Sequence, residues 1–164
     1  MDTMDTIVRH RNEGDATWFL NALVVTKADY TETGGAYHLM EHVFTAASNP
    51  PVHIHQDEEE AFYVLEGELE IDVDGVTSVA RPGSFVLAPS GLPHAFRVMS
   101  DTARVLSISS APSGNTNGGF PAFLKEVGEP AKALALPQPE APDPGLLMAS
   151  AATHALEILP PPGL

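Results

Sequence analysis

Three histidines and one glutamate hold the chemistry this sequence can offer: His53, His55, Glu60 and His94. His53 and His55 stand two apart, so in a strand both imidazoles point to one face and can reach one ion. Glu60 heads a strand-like run in which Phe62 and Val64 share its phase, and His94 heads another with Phe96 and Val98 in phase. Three nitrogens and one oxygen beside an apolar wall suit one divalent transition metal with open positions. Iron, manganese, nickel or cobalt fit that description, and zinc is not excluded. There is no cysteine, which rules out thiolate ligands and thiol nucleophiles.

The elements that must position these side chains are short strands. Trp18-Phe19-Leu20 and Leu23 to Thr26 read as a first strand or two, and Thr31 to Gly35 as a turn. Ala36 to Thr45 is a strand with Tyr37, Leu39, Glu41 and Val43 on one face and His38, Met40, His42 and Phe44 on the other. Either face suits the interior. Asn49-Pro50-Pro51 ends it. Val52 to His55, Glu60 to Leu65 and Leu69 to Val73 follow as strands, the last joined to its successor by the hairpin signal Asp74-Gly75. Arg81-Pro82-Gly83 turns into Ser84 to Ala88. His94 to Val98 and Ala103 to Ser109 close the series. Many short strands with Gly and Pro turns argue for an antiparallel sandwich or barrel.

Helix is expected only near the end. Phe120, Phe123, Leu124 and Val127 keep the spacing of a short amphipathic helix closed by Gly128. A Pro-rich linker spans 130–144, and Asp143-Pro144 caps a second helix running to about Leu156. The expected organisation is an N-terminal arm (1–16), a barrel (17–112) and a Pro-rich tail (113–164) that packs on the barrel or on a partner. No second copy of the histidine pattern is present, so one barrel is expected.

Acidic residues outnumber basic ones 22 to 8, a formal charge of −14. Phosphate backbones and anionic membranes are repelled by such a surface, so neither nucleic acid nor membrane is an expected partner. No apolar run is long enough to span a bilayer, and residues 1–14 have no signal-peptide character. The expected location is the cytoplasm.

Residues 53–67 read His-x-His-x4-Glu-x6-Gly, and residues 83–94 read Gly-x5-Pro-x-Gly-x2-His. Together these resemble the two motifs of the cupin superfamily, which implies an all-β fold, a single jelly-roll barrel, here with short C-terminal helices. The resemblance places metal ligands on His53, His55, Glu60 and His94. Glu59 competes with Glu60, but six residues before Gly67 select Glu60. Ala47 stands where the first motif often opens with Gly, and Val98 where the second often ends with Asn; neither is a ligand position. The series from Trp18-Phe19-Leu20 through Pro50-Pro51-Val52-His53-Ile54-His55 to Glu66-Gly67, with the terminal 154–162 segment, is similar to bacterial single-domain cupins of the quercetin dioxygenase type.

That similarity implies a small-molecule substrate, a flavonol or related enolisable aromatic, with dioxygen as co-substrate. The ring opens with loss of carbon monoxide, and Glu60 acts as both ligand and general base. Phe62 and Phe96, in phase with Glu60 and His94, are the expected wall of the substrate pocket; ordinary barrel core is their alternative reading. A metal-dependent cyclase or isomerase and a non-catalytic small-molecule binder are the competing functions. A homodimer is implied by the same resemblance. His38 and His42 read as core or solvated histidines rather than pocket contacts, Asp57 to Glu59 as a solvated loop, and His10 and His154 as arm residues without a role in the site.

Overall fold

A computed structural model describes residues 5–111 and 119–160. Residues 1–4 of the arm, 112–118 at the barrel–tail junction and 161–164 of the terminal stretch lie outside the described residues. In chain order the elements are β1 (Asp15–Phe19), β2 (Ala22–Ala28), β3 (His38–Thr45), β4 (His53–His55), β5 (Glu59–Glu66), β6 (Leu69–Val73), β7 (Val76–Ala80), β8 (Phe85–Ala88), β9 (His94–Val98) and β10 (Thr102–Ser110). The tail adds α1 (Gly119–Val127), β11 (Glu129–Pro130), α2 (Pro144–Thr153) and β12 (Leu156–Ile158).

The strands form two antiparallel sheets. One runs β11-β1-β2-β3-β10-β5-β8, the other β12-β4-β9-β6-β7. Alternation sets which side chains meet between them. In β5 Glu60, Phe62 and Val64 are buried while Tyr63 faces outward, and in β6 Leu69 and Ile71 point in. Phe44, Phe62, Val64, Leu69, Ile71 and Val105 form the barrel core. The open choice in β3 resolves towards the histidine face: His38, Met40, His42 and Phe44 are all buried. Glu41, on the opposite face, is buried too because Arg104 Nε donates to it at 2.8 Å.

Two turns hold the register. Asp74 and Gly75 both have positive φ, 51° and 78°, as a type I′ hairpin requires. Gly67, which carries the chain from β5 to β6, has φ 79°, and a Cβ there would fall 2.3 Å from the Thr102 carbonyl oxygen. Only glycine fits that crossing.

The tail belongs to the sheets as well as covering them. β12 pairs with β4, placing Leu156 opposite His55 and Ile158 opposite His53, and β11 pairs with β1. Asp143 caps α2, its side chain accepting from the Gly145 and Leu146 amides. α2 ends at Thr153, short of the expected Leu156, because Ala155 turns through φ 56° and the chain enters β12. Phe120, Phe123, Leu124, Leu147, Ala151 and Leu156 pack with Val24 and Met40 in a second apolar cluster. The Pro-rich linker is held to the barrel by three bonds: the Ala131 amide donates to the Ala16 carbonyl at 2.9 Å, Trp18 Nε1 to the Ala135 carbonyl at 2.8 Å, and the Glu140 amide to Asn21 Oδ1 at 2.8 Å. Of the N-terminal arm, Arg9 is anchored by Glu32 at 2.6 Å and by the Lys27 carbonyl at 2.6 Å.

Candidate metal centre

The four side chains singled out by spacing meet across the barrel. His53 and His55 come from β4 and His94 from β9, directly opposite His53, while Glu60 reaches over from β5 in the other sheet. Their candidate ligand atoms all lie within 4.8 Å of one another. Glu60 Oε2 sits 3.2 Å from both His55 Nε2 and His94 Nε2, and the His53 and His94 rings are 4.3 Å apart. Glu59, the competing carboxylate, begins β5 one residue out of phase and is not in the cluster.

The hydrogen bonds behind the rings explain their orientation. The Nδ1 atom of His53 faces the Pro51 carbonyl oxygen at 2.8 Å, that of His94 the Leu92 carbonyl oxygen at 3.2 Å, and that of His55 Glu58 Oε2 at 3.5 Å. Each acceptor favours a proton on Nδ1. Nε2 of His55 and His94 is then turned to Glu60, the direction in which metal-ligating histidines present it to an ion, and without one His94 Nε2 donates to Glu60 Oε2. His55 Nε2 is buried and makes no aligned hydrogen bond despite its nearness to Glu60. A buried, unsatisfied nitrogen of this kind is costly unless something else coordinates it. The cluster fits a metal: it could hold one divalent ion through three nitrogens and one oxygen.

Charge within the cluster is strongly coupled. Burial, together with His55 and His94 nearby, pushes His53 down to about 3. Burial opposes protonation of His55 as well, but Glu60 and Glu58 overcome it and raise the ring to about 9. Burial would also raise Glu60, yet His55 and His94 hold its carboxyl well below the usual carboxylate range. Glu60 is an anion inside the protein. That is where a cation belongs.

Beside the cluster opens an apolar cavity of about 740 Å³ of empty space, the solvent at its mouth included. The barrel supplies Phe44, Phe62 and Phe96 to its wall, together with His53 and Glu60. Phe62 and Phe96 belong at the same time to the barrel core, their ring centres 6.0 Å apart, so their two readings describe one position. Phe44 and Phe96 stand 4.7 Å apart.

Three features depart from the sequence reading. His42 is buried and also lines the cavity: its Nε2 pairs with Ser107 Oγ at 2.7 Å, its ring stacks on Phe44, and its Nδ1 has no partner. His38, by contrast, is the core histidine that was expected, edge-on to Tyr30 and 3.5 Å from Thr26 Oγ1. Glu58 is not part of a solvated loop. It is 3% exposed, accepts from Tyr30 Oη at 2.8 Å and the Phe120 amide at 2.7 Å, and lies behind His55. The third feature is the tail, whose Phe120, Phe123, Leu147, Ala151, Leu156 and Ile158 close the cavity on the side away from the barrel. The apolar spacing of α1 was a signal for packing, but nothing in the sequence tied it to this site. His154 bridges to Glu126, joining α2 to α1, and is not part of the metal cluster.

Residues 40–109 match the family model of the cupin domain. Over 95 residues the chain is 28% identical to quercetin 2,3-dioxygenase from Bacillus subtilis (strain 168), an alignment that covers 58% of this chain and 28% of that relative. The chain thus spans little more than a quarter of that curated protein. Among solved structures it superposes on KdgF from Halomonas sp. (TM-score 0.56, 17% identity, 62% of this chain and 92% of that one). It also superposes on the polyketide cyclase RemF from Streptomyces resistomycificus (TM-score 0.53, 24% identity, 66% and 82%). At these identities the structures establish a shared fold, the expected barrel, to which this chain adds two short C-terminal helices of its own. The family match runs from within β3 to within β10, the span that contributes all four clustered side chains, and over that span this chain carries a cupin domain.

Proposed function

We propose that this protein is a metal-dependent dioxygenase acting on a flavonol-like or related enolisable aromatic substrate. The observation that carries the reading is the adjacency of the His53-His55-Glu60-His94 cluster and an aromatic-walled cavity into which Glu60 opens. Likeness to the Bacillus quercetin dioxygenase supports the choice of reaction. A divalent metal bound by these four side chains would supply a Lewis acid that acidifies a coordinated hydroxyl. Glu60 accepts the hydroxyl proton. Its carboxyl is a weak base, so the transfer depends on that acidification. Phe44, Phe62 and Phe96 hold a flat ring system from the barrel side, and Phe120 and Leu147 from the tail side, excluding water from the reacting face.

Metal analysis of the purified protein, followed by incubation with quercetin in air and under exclusion of oxygen, tests this. Oxygen-dependent loss of flavonol absorbance with release of carbon monoxide is the expected result. Turnover that ignores oxygen overturns the dioxygenase in favour of a cyclase or isomerase, and binding without turnover in favour of a small-molecule binder. We further propose a homodimer: β8 is an edge strand with Phe85 and Leu87 exposed, an unpaired apolar border of the kind that association covers.

A further inference from the structure

Glu58 has a role that neither the motif nor the proposed chemistry uses. Its carboxylate is 3% exposed and contacts three separate parts of the chain. Oε1 accepts from the Tyr30 hydroxyl at 2.8 Å, from the loop between β2 and β3. Oε2 accepts from the Phe120 amide at 2.7 Å, in the first turn of α1. The same Oε2 is 3.5 Å from His55 Nδ1. α1 approaches so closely that a Cβ on Gly119, whose φ is +45°, would fall 2.3 Å from Glu58 Oε1. An anion at the first turn of a helix is favoured by the unpaired amides there, and nine residues make α1 long enough for that to count.

We propose that Glu58 is a positioning residue that makes metal binding at His55 and docking of the C-terminal tail one linked equilibrium, an inference that rests on the metal-site reading above. A carboxylate hydrogen-bonded to Nδ1 fixes the ring's tautomer and direction and so strengthens Nε2 as a ligand. Here that carboxylate is itself gripped by α1. The helix that supplies Phe120 and Phe123 to the cavity wall therefore shares an oxygen atom with the group that aims the ligand. Linkage is reciprocal: whatever tightens His55 on an ion also holds Glu58 in place for the Phe120 amide.

The test uses the whole chain stripped of metal and titrated calorimetrically with Zn²⁺ alone and Mn²⁺ alone. Amide hydrogen exchange of the 119–127 segment is followed with and without the ion. Metal is expected to slow exchange across 119–127 in the unaltered protein. Glu58→Gln is expected to weaken metal binding by about 10- to 100-fold, the usual effect of losing such a partner, and to abolish the slowing. Glu59→Gln changes neither. Should Glu58→Gln fail to fold, Tyr30→Phe keeps the carboxylate and removes one of its anchors, and must weaken metal binding and reduce the slowing in the same direction. Metal affinity within about twofold of the unaltered protein in the folded variant, below the range such a partner normally commands, overturns the inference while leaving the metal site intact. So does an unchanged exchange rate across 119–127 when metal binds. Absence of metal binding by the unaltered protein overturns both readings.

Discussion

Acid should destabilise this protein through two histidines that do not belong to the metal cluster. His38 and His42 are 1% and 5% exposed, and burial pushes each down to about 4. Nearby carboxylates, Asp29 and Glu58 for His38 and Glu60 for His42, oppose that push without cancelling it. A histidine whose folded value lies below the unfolded one, about 6.5, stays neutral in the native state while the unfolded chain takes up a proton. Stability therefore falls as pH falls from about 6.5 towards 4. Between about pH 7.5 and pH 5 each histidine removes about 2 kcal/mol, so the pair removes about 4 kcal/mol, a large part of the 5–15 kcal/mol typical of a domain. Urea denaturation of chelator-treated protein at the two pH values measures this directly. His53 adds the same sign of effect, and His55, held protonated in the fold, adds the opposite sign down to about pH 6.5 and no further change below it; both are common to every variant, so comparison with His38→Gln and His42→Gln isolates the two groups. Each substitution should reduce the acid-induced loss by about 2 kcal/mol. If either variant loses as much stability on acidification as the unaltered protein, that histidine does not stay neutral in the fold.

Glu60→Ala and His94→Ala should each lower metal occupancy, measured by elemental analysis after gel filtration, while Glu59→Ala leaves it unchanged; the reverse order for the two glutamates refutes the ligand assignment. Leu156→Ala, at a site 7% exposed and opposite His55 in the β12–β4 pair, should cost about 2–5 kcal/mol of stability in chemical denaturation. A value under about 1 kcal/mol would mean that the tail strand contributes little to the fold. Gly67→Ala meets both a left-handed φ and a carbonyl oxygen at 2.3 Å, and should lower stability by at least about 1–3 kcal/mol, read as a drop in the thermal midpoint. Gel filtration with light scattering should return twice the 17.4 kDa chain mass; a monomer counts against the pairing proposed for the β8 edge.

What was readable beforehand followed from local rules. Two-residue alternation put His53 with His55 and Glu60 with Phe62, and the cross-sheet meeting of these faces is what a closed barrel must do with them. Asp74-Gly75 and Asp143-Pro144 specify their turn and cap from nearest neighbours alone. Glu58 was misread because its burial depends on Tyr30 and on a main-chain amide sixty-two positions away, neither of which marks the acidic run as anything but solvated. β11 and β12 have two and three residues, too few to show a period; they exist because β1 and β4 leave unpaired backbone edges for them. In β3 both faces carry apolar and polar residues, and Arg104 neutralises Glu41 on the outer one, so no alternation separated inside from outside. The pocket role of His42 was hidden by that ambiguity.

The contact between Glu58 and α1 is made by a main-chain amide, and β12 joins β4 by backbone pairing. Apart from Gly119, where a Cβ would meet Glu58, and the buried Leu156, neither attachment is made through the side chains of α1, α2 or β12. The residues those elements present to the cavity can therefore be exchanged for larger, smaller or more polar ones while the anchor points and the four clustered side chains stay as they are. Under the proposed function, what enters the cavity is set along the chain apart from the metal cluster: the segment after residue 119 is where a combinatorial library at Phe123, Leu147 and Ile158 can reshape the cavity wall without changing the four clustered side chains.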